Sequence, residues 1–226
     1  MPEELIYRLA KKSDAPDVLN FLLEHYFPLE PCTRALKLIK SEAEVLYESL
    51  VARCLQFPFS TVVTTQSGEI VACLVNSAWK RDDNAVEGAD YEVDEGLTEN
   101  MTAFIKMLNT CHEDFWNLAP QNINVVLHRE VSSVSEKYQR RGIATKMLTT
   151  NMPKAKLDEY SIDGVLSETC SFGNQVLLEK HGFKCLKTIP YTGIVDSQGN
   201  QILKTDDGST ELKLNFKLIG DFEILD

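Results

Sequence analysis

The sequence predicts one α/β domain over residues 1–226, with a single mixed, mostly antiparallel sheet of about seven strands flanked by helices. Three observations predict it. Short runs rich in β-branched residues recur from end to end and alternate with segments of helical period. Two pairs of these runs are joined by hairpin-type turns, which makes part of the sheet antiparallel. No repeat, low-complexity tract or linker divides the 226 residues, and 43% of them are hydrophobic, enough for one packed core.

Residues 5–9 alternate as a short strand. In SDAPDVLNFLLEHYF, Ser13 or Asp14 serves as N-cap and Pro16 falls in the first turn, predicting a helix to about Tyr26. Pro28 and Pro31 then bracket Glu30, so HYFPLEPCT cannot continue that helix and reads as a turn or loop. Leu36, Ile39, Ala43, Leu46, Leu50 and Val51 keep helical spacing and predict a helix over 34–54. STVVTT and EIVACLVNSAWK flank Gln66, Ser67 and Gly68, the composition of a tight turn between antiparallel strands. Residues 81–100 turn acidic and polar, with two glycines, and read as a long loop. A helix over about 97–115 precedes the strand NINVVLHREVSSV, and residues 138–156 read as a loop feeding a helix. IDGVLSETC is the next strand, NQVLLEKH a short helix and FKCLKTIPY a strand ending at Pro190. The chain then turns at Gly199, makes the polar excursion KTDDGS and closes with the alternating strand TELKLNFKL.

A net charge of -11 argues against a nucleic-acid partner, because phosphate backbones are bound by clustered Lys and Arg. Cys32, Cys54, Cys73, Cys111, Cys170 and Cys185 form no CxxC pair, so neither a metal site nor a disulfide framework is expected and the thiols read as reduced. The start MPEELIYRLAKK has no apolar stretch of signal-peptide length, and no run approaches the roughly 20 apolar residues of a membrane span. A cytoplasmic protein without a membrane partner, as a monomer or weak dimer, is the expectation.

The most informative junction is YQRRGIATKML, which sets Gln139, Arg140, Arg141, Gly142, Ile143, Ala144 and Thr145 between a strand and a helix. At a helix N-terminus, unpaired N–H groups and the positive dipole end favour a polyanion. Gly142 permits close backbone approach, and Arg140 and Arg141 add charge. A pyrophosphate is the natural ligand; an ordinary turn with solvated arginines is the plain alternative. A triphosphatase loop would end in Gly-Lys-Ser/Thr and a dinucleotide fold would carry GxGxxG early in the chain, and neither is present.

This segment resembles the acetyl-CoA signature Gln/Arg-x-x-Gly-x-Gly/Ala of the GNAT acetyltransferase superfamily. NQVLLEKHGFK resembles that superfamily's closing helix and its strand start, here Gly182 and Phe183. The resemblance implies the GNAT fold, acetyl-CoA as cosubstrate, and pantetheine bound through backbone groups of Ser132, Ser133 and Val134. HYFPLEPCTRAL is further similar to the Glu-Pro segment of insect-type arylalkylamine N-acetyltransferases, and GEIVACLVNSAWKRDD resembles the same group's second and third strands. That likeness spans nearly the whole chain and is weakest over 86–120 and after Thr192.

What it implies is an N-acetyltransferase for a small aromatic amine such as serotonin, dopamine, octopamine or tryptamine, with Glu30 as general base. A primary ammonium has a pKa near ~10, so a base must take a proton before the nitrogen can attack. A backbone N–H around Val134 would stabilise the oxyanion. Where the insect-type enzymes carry two serines ahead of the last helix, counting back from Gly182 and Phe183 finds Cys170 and Asn174, with Ser171 a near neighbour. Cys170 is either a proton donor to the leaving thiolate or a small buried thiol. Strand period sets His128 and Glu130 on one face with Ser132 and Val134, so they are rival bases; alternatively His128 bonds across strands and Glu130 pairs with Arg129 or Arg140. Phe27, Leu29, Tyr47 and Tyr191 either line an apolar acceptor pocket or belong to the core. Two further readings stay open: an acceptor that is a polyamine or a protein or peptide amine, suited by the acidic residues 82–99, and a non-catalytic acyl-CoA sensor.

Overall fold

The computed structural model describes residues 3–81, 91, 93 and 95–223, and a seven-stranded sheet organises them. Its strands are β1 (Ile6–Leu9), β2 (Thr61–Thr64), β3 (Ile70–Lys80), β4 (Val125–Val134), β5 (Gly164–Thr169), β6 (Lys184–Pro190) and β7 (Glu211–Leu218). They stand in the order β1-β2-β3-β4-β5-β7-β6, with β4 and β5 the parallel pair among antiparallel neighbours. Successive side chains along a strand point to opposite faces, so Val126 and Leu166 meet one core cluster while Leu127 and Val165 meet another. The first cluster lies under α1 (Ala15–Phe21), α2 (Pro31–Leu36), α3 (Lys40–Cys54), α4 (Glu99–His112) and α5 (Phe115–Leu118). The opposite face is covered by α6 (Ile143–Met147), α7 (Lys154–Glu159) and α8 (Phe172–Lys180). Gly164 starts β5 against the ring of Phe216, where an added Cβ would overlap that ring.

Several boundaries differ from the sequence expectations for local reasons. The helix expected over 34–54 is two helices. Pro31 opens α2, because its missing N–H is no loss at the first helical position, so the segment read as a loop is a helix start. Left-handed backbone at Lys37, φ 52°, ends α2, and the chain restarts as α3 at Lys40. Helix α1 begins at the expected N-cap, Asp14, whose carboxylate turns back to Arg8 and the Lys11 N–H instead of capping. Its continuation Leu22–Tyr26 is wound as a π-helix, with the Phe27 N–H donating to the Leu22 carbonyl at 2.8 Å. The helix expected after the basic loop breaks at Asn151, φ 60°, just before Pro153. The one expected over 97–115 runs Glu99–His112, and the short helix NQVLLEKH begins earlier, at Phe172, behind the N-cap Ser171. Of the expected acidic loop, residues 82–90, 92 and 94 lie outside the described residues.

Two features of β4 set the geometry of its second half. It pairs with β5 only from Val126↔Gly164 to Arg129↔Ser167, after which the two strands part, Val131–Val134 staying with β3 and Glu168–Thr169 with β7. Opposite β3, the partners step from Val75↔Val131 to Asn76↔Arg129, leaving Glu130 as an extra residue, a β-bulge. The bulge corrects the expected facing. His128 and Glu130 share a face, but beyond the bulge Val131 takes that face, and Val134 packs with the cluster beneath α6.

Candidate active site

Where β4 and β5 part, a cavity opens. Its walls come from segments far apart in sequence: Glu30, Leu29 and Tyr26 from the turn before α2, Tyr47 from α3, Tyr91, Phe104 from α4, residues 129–134 of β4, and Ser167, Glu168, Cys170, Ser171 and Asn174. Tyr26 and Tyr47 tilt against each other with ring centroids 5.7 Å apart. Tyr91 is pinned by Asn109, whose side chain accepts from the Tyr91 N–H at 3.1 Å and donates to its carbonyl at 3.0 Å. One end of the cavity is thus aromatic and apolar, and carboxylates stand within it.

Glu30 is the N-cap of α2, 4% exposed, its two oxygens accepting from the backbone N–H groups of Cys32 at 3.1 Å and Thr33 at 2.5 Å. Burial raises its pKa above the ordinary carboxylate value, and the Thr33 and Cys32 N–H groups offset only part of that rise. Among the described residues no lysine, arginine or histidine forms an ion pair with it. The segment carrying it is clamped by Arg34, which donates to the Leu29 carbonyl and pairs with Asp206. Beside it, the Cys32 thiol donates to the Tyr191 hydroxyl at 3.5 Å, and that hydroxyl donates to the Cys170 carbonyl at 2.9 Å. The Cys32 contact, followed by burial, pushes the Cys170 thiol well up, so it holds its proton at neutral pH. Glu30, Cys32 and Cys170 bring a carboxylate oxygen and two sulfurs within 4.8 Å of one another, a cluster of possible metal donors that cysteine spacing did not announce.

A second set of carboxylates is arranged differently. Glu130 accepts from Ser77 at 2.5 Å, from Arg53 at 3.0 Å and from the Tyr91 hydroxyl at 3.1 Å. His128 lies between Glu130 at 3.2 Å and Glu168 at 3.4 Å, and Glu168 also meets His112 at 2.9 Å. Neither His128 contact is aligned as a hydrogen bond, so the attraction is chiefly ionic. Trp79 covers the His128 ring at 4.1 Å. Burial alone would lower the His128 pKa, but Glu130 and then Glu168 outweigh it and hold the imidazolium to about 9. Burial likewise pushes the carboxylates up, and the histidines reverse it: Glu168 falls to about 2, and Glu130 falls further. All three stay charged across neutral pH. Glu130 pairs with Arg53, not with Arg129 or Arg140.

Arg129 stands apart from that chain. It is 4% exposed, its Nη1 donates to Ser167 Oγ at 3.1 Å, and its Nε and Nη2 have no partner among the described residues. Burial pulls its guanidinium down to about 10, which leaves it charged.

A second, more open depression adjoins the first and is lined by Ser132, Val134, Gln139, Arg140, Gly142, Ile143, Ala144, Thr145 and Asn174. Gly142, φ 76°, is the left-handed N-cap of α6. The N–H groups of residues 140–144 donate to no other backbone group among the described residues. Arg141 does not line this depression; it is exposed, with its Cζ 4.8 Å from the Tyr138 ring centroid and Nη2 on the Lys137 carbonyl at 3.0 Å.

The structure therefore brings Glu30, Leu29, Tyr47, Ser132, Ser133, Val134, Cys170, Ser171, Asn174 and Glu130 to one cavity. Ser171 is also the cap of α8, its Oγ accepting from the Asn174 N–H at 3.4 Å. Phe27 and Tyr191 do not line it: Phe27 packs against the core and Tyr191 is 2% exposed beneath Cys170. His128 lies behind Glu130 and Glu168. Sequence reasoning missed Tyr26, Tyr91, Arg129 and Glu168. The alternation of IDGVLSETC carried a signal for Glu168, which shares a strand face with Leu166.

No protein-family model and no curated protein sequence matches the chain. Solved structures do. Arylalkylamine N-acetyltransferase 2 of Aedes aegypti superposes with a TM-score of 0.78 at 18% identity, covering 96% of this chain and 99% of that one. A polyamine N-acetyltransferase of Drosophila melanogaster that forms N-acetylagmatine gives 0.75 at 15% identity, over 96% and 100%. The C-terminal condensation domain of Ebony, solved with β-alanyl-dopamine, gives 0.72 at 15%, over 96% and 100%. At such identities the likeness establishes the fold, a GNAT fold with its seven-stranded mixed sheet.

Proposed function

From a GNAT fold shared over 96% of the chain with arylalkylamine and polyamine acetyltransferases, we propose that this protein is an acetyl-CoA-dependent N-acetyltransferase of small arylalkylamines. The observation that carries the reading is a single cavity in which a buried carboxylate, Glu30, with no cationic partner among the described residues, faces an aromatic wall and the parted edge of β4. All six cysteines are free, which suits a reducing compartment such as the cytoplasm.

Acetyl-CoA would supply an activated acetyl group as its thioester. The free N–H groups at 140–144 and the left-handed Gly142 suit its pyrophosphate, and the β4 edge at Ser132, Ser133 and Val134, left without a β5 partner, suits pantetheine. Tyr26, Tyr47 and Phe104 would hold the aromatic ring of the acceptor. Glu30, its pKa raised by burial, takes the proton from the ammonium. Glu130 and Glu168 are held ionised by cations and are poor bases, so they serve to hold the cavity floor. That pairing also counts against a polyamine acceptor, whose second cation would need a carboxylate not already neutralised. Cys170 keeps its proton and is placed to give it to the departing sulfur.

The test is thiol release from acetyl-CoA across tryptamine, serotonin, dopamine, octopamine, agmatine, spermidine and a short peptide. Turnover confined to the aromatic amines is expected. Turnover confined to spermidine or agmatine moves the acceptor class, and acetyl-CoA binding without turnover of any of them makes the protein a sensor.

A further inference from the structure

Arg129 is a buried positive charge with no counter-charge among the described residues. Lysine and arginine are almost never fully buried unless paired, because taking a charge out of water is costly. Among the described residues its one side-chain partner is the neutral Ser167 hydroxyl, and it forms no ion pair with any of them. Asn76, its partner across β3, has a buried Oδ1 that is likewise unpartnered among them. A water bridging the two would complete hydrogen bonds and leave the charge uncompensated.

Its position gives the charge a use. Arg129 and Ser167 are the last paired residues before β4 and β5 part, so they form the deep end of the cavity. With the free N–H groups of 140–144 at the other end, a molecule threaded along Val134 and Ser132 delivers its reactive end to the region of Arg129. Arg129 shares the strand face of Leu127, which packs under α7 and α8, whereas Glu30 belongs to the α2–α4 side. Base and guanidinium thus stand on opposite sides of the sheet.

Resting on the acetyltransferase reading, we propose that Arg129 is the electrostatic counter-charge for the sulfur that leaves in the acyl-transfer step. One ammonium proton goes to Glu30, the freed amine nitrogen bonds to the acyl carbon, the carbon–sulfur bond breaks with its electron pair going to sulfur, and the second N–H proton released as the amide forms ends on that sulfur after it has left. Negative charge therefore moves from the acceptor side toward Arg129, whose buried guanidinium acts across the low-dielectric interior without contacting the sulfur. This makes the departing group stable before any proton reaches it, where a thiol as weakly acidic as Cys170 is a slow donor.

The experiment reads the thiol of bound CoA directly, by the ultraviolet absorbance of its thiolate against pH, with binding followed by calorimetry. In the wild-type protein the bound thiol is expected to ionise at least about one pH unit below free CoA, a tenfold shift in its ionisation constant. Arg129→Met should return it to the free value or above with a similar CoA dissociation constant, while Arg129→Lys retains most of the shift. kcat should fall at least tenfold in Arg129→Met with little change in KM. A thiol that ionises in the wild-type complex as it does in free CoA overturns the proposal, whether or not either variant folds. Failure of CoA to bind would instead overturn the acetyltransferase reading itself.

Discussion

Glu30 and Glu168 are both buried glutamates on the same cavity, and they titrate in opposite directions. Glu30 sits on the backbone N–H groups of a helix start, which are partial charges, and burial wins. Glu168 sits between two imidazoles, and His112 first and then His128 win over the same burial. The difference teaches that burial does not assign a role to a carboxylate; the charge of its neighbours does. One takes up a proton more readily than an ordinary glutamate, and the other is a fixed ion in a row that runs from Arg53 through Glu130 and His128 to Glu168 and His112.

The sharpest way to break this comparison is Glu30→Gln. It keeps one acceptor for the cap and removes the basicity, so kcat should fall by about 10²–10⁴-fold while acetyl-CoA binding is retained; unchanged turnover would move the base elsewhere. In the wild type, kcat/KM should rise with pH through a value above the ordinary 4.5 of a glutamate, and the variant should lose that limb. Next, His128→Gln leaves Glu130 and Glu168 without the cation between them and should cost about 3–5 kcal/mol in urea unfolding at neutral pH. A loss below about 1 kcal/mol would show the row to be dispensable.

Stability against pH gives a finer test. Glu168 is lowered from 4.5 to about 2, so its contribution is present above 4.5 and is lost as pH falls toward 2. His128 is raised from 6.5 to about 9, so its contribution is full below 6.5 and is lost as pH rises through 9. The wild type should be most stable between these windows, and His128→Gln should flatten the alkaline decline. The smallest effect expected is that of Ser77→Ala, which removes one donor from Glu130 and should cost about 1.5–3 kcal/mol in the same unfolding experiment.

The local parts of this site were legible and the assembled parts were not. The basic loop was readable because glycine, arginines and helix start are contiguous, and Glu30 stood out between its prolines. Arg141, in the same loop, turned onto Tyr138, a choice that depends on a neighbouring ring and not on the motif. Phe27 was expected at the cavity and Tyr26 occupies it, at the end of the π-helical stretch Leu22–Tyr26, a winding that no residue type in the sequence announces. The break after α2 falls at Lys37, a residue type that carries no stop signal. Strands were found from β-branched composition, yet a bulge has no composition of its own, so the facing of Ser132 and Val134 was misread. Tyr91, Arg129 and Glu168 converge only through the topology of the sheet.

That bulge also bears on how the strand can change over generations. Because β4 carries one residue more than β3 needs opposite it, deleting Glu130 would let the ladder close in uninterrupted register. Pairing would survive with Val131–Val134 on the faces they already occupy, while the carboxylate that accepts from Ser77, Arg53 and the Tyr91 hydroxyl would be gone. Surface loops accept insertions and deletions readily. Here a single lost codon would spare the strand ladder and take one buried carboxylate out of the cavity wall, a change of lining without a change of fold.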